Sequence, residues 1–276
     1  MVPKLSDLLS GDELLIAPGA HDALGARIFE QAGFRAVYMT GNGLSASLLA
    51  APDVGLLTMT EMVQRGRAFA AAVEVPVIAD ADTGYGGPHN VARTVREYQA
   101  CGVAAIHLED QIFPKRCGAM PGIELVSAEE HAARIGAAIE ARTDAEFLLI
   151  GRTDARLTSG FDEALRRAKC YADAGADLIL VEMLQTPKEI EDVARAVDVP
   201  VMFNVVEGKT PDLTPAEFAE LGVKVLVYPL ASTLIYAATM QTFARHLADG
   251  KTPATLQPPG LELTKYQRLL QGSRHG

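Results

Sequence analysis

The chain has 276 residues, 49% of them hydrophobic and 22% charged, and carries a net charge of −10 at neutral pH. That length and composition allow a large buried core, arranged as two domains or as a single α/β barrel. The acidic balance argues against a nucleic-acid partner, because such binders gather lysine and arginine, but it leaves room for a small anion held by a local cluster of cations.

Cys101, Cys117 and Cys170 show neither CxxC spacing nor an even-numbered framework, which points to free thiols in a reducing compartment. No basic segment followed by an apolar run opens the sequence. The uncharged stretch from Val225 is interrupted by Pro229, Ser232, Thr233 and Gln241, so it reads as a strand followed by a helix and not as a membrane span. A cytoplasmic protein without membrane association is expected.

In chain order, the first strand candidate is 13–17, followed by GFRAVYMT from Gly33. The pattern of a glycine leading a short β-branched run recurs at Gly102, Gly175 and Gly222, where glycine suits the left-handed end of a helix. Val75-Pro76-Val77 and Val199-Pro200-Val201 open two further strands, and 146–152 is the eighth candidate. Helical periodicity fills 91–100, 128–141, 161–174 and 187–196. Alternation of this kind over eight units predicts a parallel (β/α)8 barrel of the TIM type, with a doubly wound sheet as the alternative. The barrel is expected over 1–250. The proline-rich 251–276, ending in a short helix at 264–271, reads as an arm docking on a neighbouring subunit.

Barrel sites collect at the carboxyl ends of the strands. Those ends carry Tyr38 to Gly41, Asp80 and Asp82, His107 with Glu109, Arg152 with Asp154, Glu182, Asn204, and Tyr228-Pro229. Asp80 and Asp82 lie two apart, so an extended strand turns both side chains the same way, with Glu109 ending the next strand. Three carboxylates without a thiol or imidazole partner suit a hard cation, most of all Mg²⁺. The plainer reading is that Asp82 or Thr83 caps a turn and Asp80 pairs with a buried base. Arg152 suits a bidentate grip on a substrate carboxylate, or an ion pair with Glu182 or Asp154. His107 is read as an orienting group or as a satisfied core histidine.

Gly41-Asn42-Gly43 opens a superficial dinucleotide fingerprint, but no acidic strand end follows at the required distance. It reads instead as a glycine loop whose amides bind a carboxylate or phosphate. The long connection after Glu109 carries Lys115, Arg116 and Cys117 side by side. A thiol between two cations is expected to have a depressed pKa, and a loop this long over 110–126 reads as a working lid.

Taken together, YMTGNG (38–43), APD (51–53), DADTGYG (80–86), NVARTV (90–95), HLEDQ (107–111), KRCG (115–118), GRTDA (151–155) and NVVEGKTP (204–211) resemble the isocitrate lyase/phosphoenolpyruvate mutase superfamily. The resemblance implies a (β/α)8 barrel whose final helix is exchanged between subunits, usually within a homotetramer. Within that superfamily the loop cysteine marks the carbon–carbon lyases acting on isocitrate, 2-methylisocitrate and 2,3-dimethylmalate, and the short loop is similar to that of the latter two. Phosphonate mutases and the related decarboxylase and hydrolase lack it, and a phosphonate mutase or an oxaloacetate-type 2-keto-acid decarboxylase on the same site is the alternative. The chain departs from the pattern at Ala119, where a histidine is usual, and at Ile123, where a basic residue often stands.

The implied reaction cleaves a 2-hydroxy di- or tricarboxylate to a 2-keto acid such as pyruvate plus a dicarboxylate. Mg²⁺, or Mn²⁺ in its place, would be held by Asp80, Asp82 and Glu109 partly through water. Cys117 would protonate the departing carbon, with Lys115, Arg116 and Arg152 offsetting charge, and Tyr38 and Asp53 stand as alternatives for the base. Thr40, Gly41, Asn42, Asp53, Gly118, Arg152, Glu182 and Asn204 would contact the substrate, with alkyl selectivity set around Leu184, Leu226 and the loop.

Overall fold

The structure, a computed structural model, describes residues 3–271. Eight parallel strands form a closed barrel in chain order: β1 (Leu15–Ala20), β2 (Val37–Met39), β3 (Val77–Asp80), β4 (Ala105–Glu109), β5 (Leu148–Thr153), β6 (Leu178–Val181), β7 (Val201–Asn204) and β8 (Val223–Tyr228). The ring closes where Leu15 to Pro18 pair with Val225 to Tyr228. The helices are α1 (Leu5–Ser10), α2 (Ala23–Gln31), α3 (Gly41–Leu49), α4 (Met59–Ala72), α5 (Pro88–Cys101), α6 (Ala128–Ala141), α7 (Ala155–Thr158), α8 (Phe161–Asp173), α9 (Pro187–Ala196), α10 (Pro215–Glu220), α11 (Ala231–Ala248) and α12 (Leu263–Gln271).

The strand bodies are apolar on both faces because each is covered twice. Ala17, Tyr38, Ile78, Ala105, Ile150, Leu180, Met202 and Val225 share one core cluster with Leu5 and Leu8 of α1, which therefore packs against the barrel interior. The alternate residues, such as Met39, Ala79, Ile106 and Leu149 in one half and Ile179, Phe203 and Leu226 in the other, pack outward against the helix ring.

The predicted barrel and its eight strands are present, and the first and fifth strands shift toward the C-terminus, from 13–17 to Leu15–Ala20 and from 146–152 to Leu148–Thr153. The first strand begins at Leu15 because Glu13 is exposed and paired with Arg35, and the fifth runs to Thr153. Residues 41–49 form a helix capped by the Thr40 side chain, not a glycine loop. Among the described residues, no helix is long and apolar enough to cross a membrane.

The eighth unit departs from a simple barrel. Helix α11 follows β8 but buries none of its side chains, leaving Leu234, Ile235 and Tyr236 more than half exposed. An apolar groove lined by Leu24, Ile28, Phe29 and Ile235 stays open between α2 and α11. The short α12 lies against α2 of its own chain, where Arg27 and Gln31 donate to the Leu270 and Leu269 carbonyls at 2.5 and 3.3 Å.

Candidate active site

The floor of the site is made by the ends of β2, β3 and β4. The Tyr38 hydroxyl and His107 Nε2 share a hydrogen bond of 2.7 Å, and the same nitrogen stands 3.6 Å from Asp80. Burial lowers the His107 pKa to about 4 despite the pull of Asp80, so the ring is neutral. Burial, with Asp80 beside it, raises the Tyr38 phenol well above its ordinary value. Tyr38 therefore holds its proton, which weighs against it as the base.

β3 ends at Asp80, and the chain then turns sharply. Asp82 has a φ of 49°, and its N–H donates to Asp80 Oδ1 at 2.9 Å. The strand-alternation argument therefore fails beyond Asp80; this turn is what brings the second carboxylate into the chamber. Gly41 is obligatory opposite it, because a Cβ there would lie 2.9 Å from the Asp80 carboxyl carbon.

Lys115 is nearly sealed, with its ammonium 2.7 Å from both Asp53 and Asp82. Burial opposes its charge, but Asp82, Glu109, Asp80 and Asp53 together outweigh that and push its pKa well above the ordinary lysine value. Arg152 is gripped through Nε and Nη2 by Asp154 at 3.1 and 2.8 Å, and its Nη1 lies 3.4 Å from Glu109. Asn204 donates to Glu182 at 2.9 Å. Burial raises the Glu182 pKa, with Asp154 and Asp80 adding to it against Arg152 and Asn204.

The 110–126 connection folds over this floor. The Cys117 N–H donates to the Asp53 carbonyl at 2.9 Å. Gly118 sits so close that a Cβ would meet Asp154, Glu182 and Arg152 at 2.6 to 2.7 Å, so only glycine lets the lid seat there. The result is a narrow cleft lined by Tyr38, Thr40, Asn42, Asp53, Asp80, Cys117, Gly118, Arg152, Glu182 and Asn204, with Ala119, Val206, Pro229 and Leu230 supplying an apolar side.

Most residues singled out in the sequence thus converge, and three expectations are corrected. Arg116 does not face the cleft: its side chain is exposed and lies beside Gly122 on the outer surface of the lid. The Cys117 thiol is raised, not depressed. Burial dominates and Asp53 and Glu182 add to it, while the neighbouring cations are turned away, Lys115 toward its carboxylates and Arg116 toward solvent. Leu184 and Leu226 are buried in the outer core, because Val225 and Val227, not Leu226, point into the barrel. Val206 and Leu230 take that place in the cleft; their only signal in the sequence was position, each a short step past a strand end.

The donor set fits a hard divalent cation held partly through water. Both Glu109 oxygens are buried without a hydrogen-bond partner, and burial raises that carboxyl well above its ordinary value, more than Arg152 and Lys115 can offset. Arg152 at 3.4 Å is its nearest cation, and a carboxyl buried with neither oxygen hydrogen-bonded is suited to a further cation that would hold it ionised. Among the described residues no three carboxylate, imidazole or thiol side chains converge tightly enough to grip an ion by themselves, and Lys115 bridges Asp82 to Asp53.

A closed parallel barrel with a lidded chamber of buried ionisable groups and a thiol at the carboxyl ends of its strands has the layout of a barrel enzyme's active site. The family model for phosphoenolpyruvate phosphomutase matches residues 5–248. The chain belongs to that family, within the isocitrate lyase/phosphoenolpyruvate mutase superfamily. It is 52% identical to 2,3-dimethylmalate lyase of Eubacterium barkeri over 97% of this chain and 93% of that protein. It is 40% identical to 2-methylisocitrate lyase of Aeropyrum pernix over 96% of this chain and 86% of that protein. A solved structure of phosphonopyruvate hydrolase with oxalate and Mg²⁺ superposes with a TM-score of 0.84 at 36% identity, over 96% of this chain and 93% of the other.

Proposed function

We propose that the chain is a carbon–carbon lyase cleaving an alkyl-substituted 2-hydroxy dicarboxylate of the 2,3-dimethylmalate type to a 2-keto acid and a shorter carboxylate. The relatives named above support lyase chemistry. The observation that carries the choice of substrate is the inventory of cations. Of the residues lining the cleft Arg152 is the single cation, Lys115 is held by Asp53 and Asp82, Arg116 lies outside, and Ala119 offers no charge. The remaining side, formed by Ala119, Val206, Pro229 and Leu230, suits methyl groups. A third carboxylate would have to lie against that side or beside Asp53 and Glu182.

Asp80, Asp82 and Glu109 would hold a divalent ion, Mg²⁺ by the hardness of the oxygens and Mn²⁺ as its substitute, which when bound supplies Lewis-acid polarisation of the hydroxyl and its carboxylate. Arg152, held by Asp154, binds and orients the other carboxylate. The amides opening α3, at Gly41 and Asn42, would add the positive end of that helix to the cleft, which Asn42 lines. Asp53, the remaining candidate for the base, takes the hydroxyl proton as the C2–C3 bond breaks, and Tyr38 donates a hydrogen bond to the oxygen that gains charge. Cys117, kept protonated by burial, delivers its proton to the departing carbon beneath a lid that excludes water.

A purified enzyme assayed for keto-acid release should favour 2,3-dimethylmalate over 2-methylisocitrate by at least about 100-fold in kcat/KM, since burying an unpaired carboxylate costs several kcal/mol. Equal rates on the two acids would overturn this choice.

We further infer that α11 and the arm after Gly250 are exchanged with a second copy of the chain, α12 then taking the partner's α2 in place of the intrachain contact described above, in keeping with the exposed face of α11 and the open groove beside it. Residues 272–276 of the arm lie outside the described residues. Truncation after Gly250 should reduce the particle mass measured by light scattering together with activity. Unchanged mass in the truncated protein would remove the exchanged arm.

A further inference from the structure

The segment Glu109-Asp110-Gln111 leaves the barrel with three different duties, and that of Gln111 is to hold the lid, its side chain also bonding to Asp154 at the edge of the anionic site. Its side chain is 1% exposed, and its amide makes two hydrogen bonds to one residue of the lid: Arg116 N–H donates to Oε1 and Nε2 donates to the Arg116 carbonyl, each at 2.8 Å. This is the pair of bonds that a neighbouring strand would offer, supplied by a single side chain. The backbone of Gln111 is also fixed, since it bridges antiparallel to Leu125, and Ile112 N–H donates to Glu124 O at 2.8 Å while Val126 N–H donates to Asp110 O at 2.9 Å. One residue therefore ties the neck of the lid to its tip. The residue after Arg116 is Cys117, whose own N–H is held by the Asp53 carbonyl.

We propose that Gln111 is the positioning residue that sets the Cys117 thiol over the cleft, by clamping the Arg116 peptide between its amide oxygen and nitrogen. The proposal rests on the reading of Cys117 as the proton donor. The clamp needs a donor and an acceptor at glutamine's reach. Glutamate keeps the shape but loses the donor and sets a carboxylate against the Arg116 carbonyl; methionine keeps the volume and loses both bonds. A shift of about 1 Å in a reacting group is enough to lower turnover by roughly 10²-fold. Lys115 also anchors the lid, through Asp53 and Asp82, so removing the clamp loosens the tip without detaching it.

The test uses Gln111→Glu and Gln111→Met in the full chain, with three readouts. In steady state, kcat should fall about 10²-fold with KM changed by less than about threefold. Alkylation of Cys117 by iodoacetamide, followed by peptide mass, should accelerate at least about tenfold while buried Cys101 keeps its rate, because only the lid has opened. Tryptic cleavage after the exposed Arg116 should accelerate in parallel, with the melting temperature held within a few degrees. Unchanged alkylation and cleavage in Gln111→Glu would overturn the clamp, as would a collapse of melting temperature in both variants, which would make Gln111 a stability residue. The alkylation and proteolysis readouts do not depend on substrate. A Cys117→Ser enzyme that stays active therefore sinks the acid role separately from the clamp.

Discussion

Cys117→Ser is expected to lose cleavage of 2-hydroxy diacids by about 10²–10⁴-fold, the range a positioned general acid supplies, while still binding keto acid. Serine is close in size, so the lid should seat as before, but its hydroxyl is far too weak an acid to protonate the departing carbon. The pH dependence follows from the direction of the thiol's shift. Burial, then Asp53 and Glu182, raise the thiol above its ordinary value of 9.0, so the proton-bearing form persists through neutrality. The alkaline limb of kcat/KM assigned to this acid should therefore lie above pH 9.0 and should vanish in the serine variant. Undiminished cleavage by Cys117→Ser would sink the lyase mechanism. Cleavage of oxaloacetate or phosphonopyruvate that survives the substitution would promote the decarboxylase, hydrolase or mutase reading.

Exhaustive chelation is expected to abolish turnover, and Mg²⁺ or Mn²⁺ to restore it. The reason lies in the charge balance of the chamber. Asp53, Asp80, Asp82, Glu109, Asp154 and Glu182 are buried beside two buried cations, Lys115 and Arg152, and Glu109 has no hydrogen-bond partner for either oxygen. Adding a divalent ion without substrate should also raise the melting temperature, because a ligand at about 100 times its Kd stabilises the folded state by about 2.7 kcal/mol. For a domain of this size that is a rise of several degrees, roughly 2–4 °C per kcal/mol. Full activity in protein shown by elemental analysis to be metal-free would remove the ion from the mechanism.

The two cases also show where local sequence stops informing. The β-branched runs, the glycines that end helices and the polar residues at strand ends are local signals with fixed periods, and they were sufficient for the barrel, its strand order and the convergence of Asp80, Arg152, Glu182 and Asn204 on the cleft, with Glu109 beside Arg152. The thiol was different. Lys115, Arg116 and Cys117 are neighbours in sequence, yet Lys115 is claimed by Asp53, 62 positions away, and Arg116 by solvent. A side chain's direction on a long connection is set by such distant partners, so adjacency predicted a depressed pKa where burial gives a raised one.

By itself the sequence determined the fold and named the candidate carboxylates and thiol, because strand and helix periodicity and residue chemistry are properties of the chain read locally. The tertiary structure alone decided that Gly41 opens a helix, that Leu226 faces the outer core while Val206 and Leu230 line the cleft, and that Gln111 holds the lid. Each of those depends on a register or a pairing between segments, and a shift of one residue along a strand exchanges its inner face for its outer one.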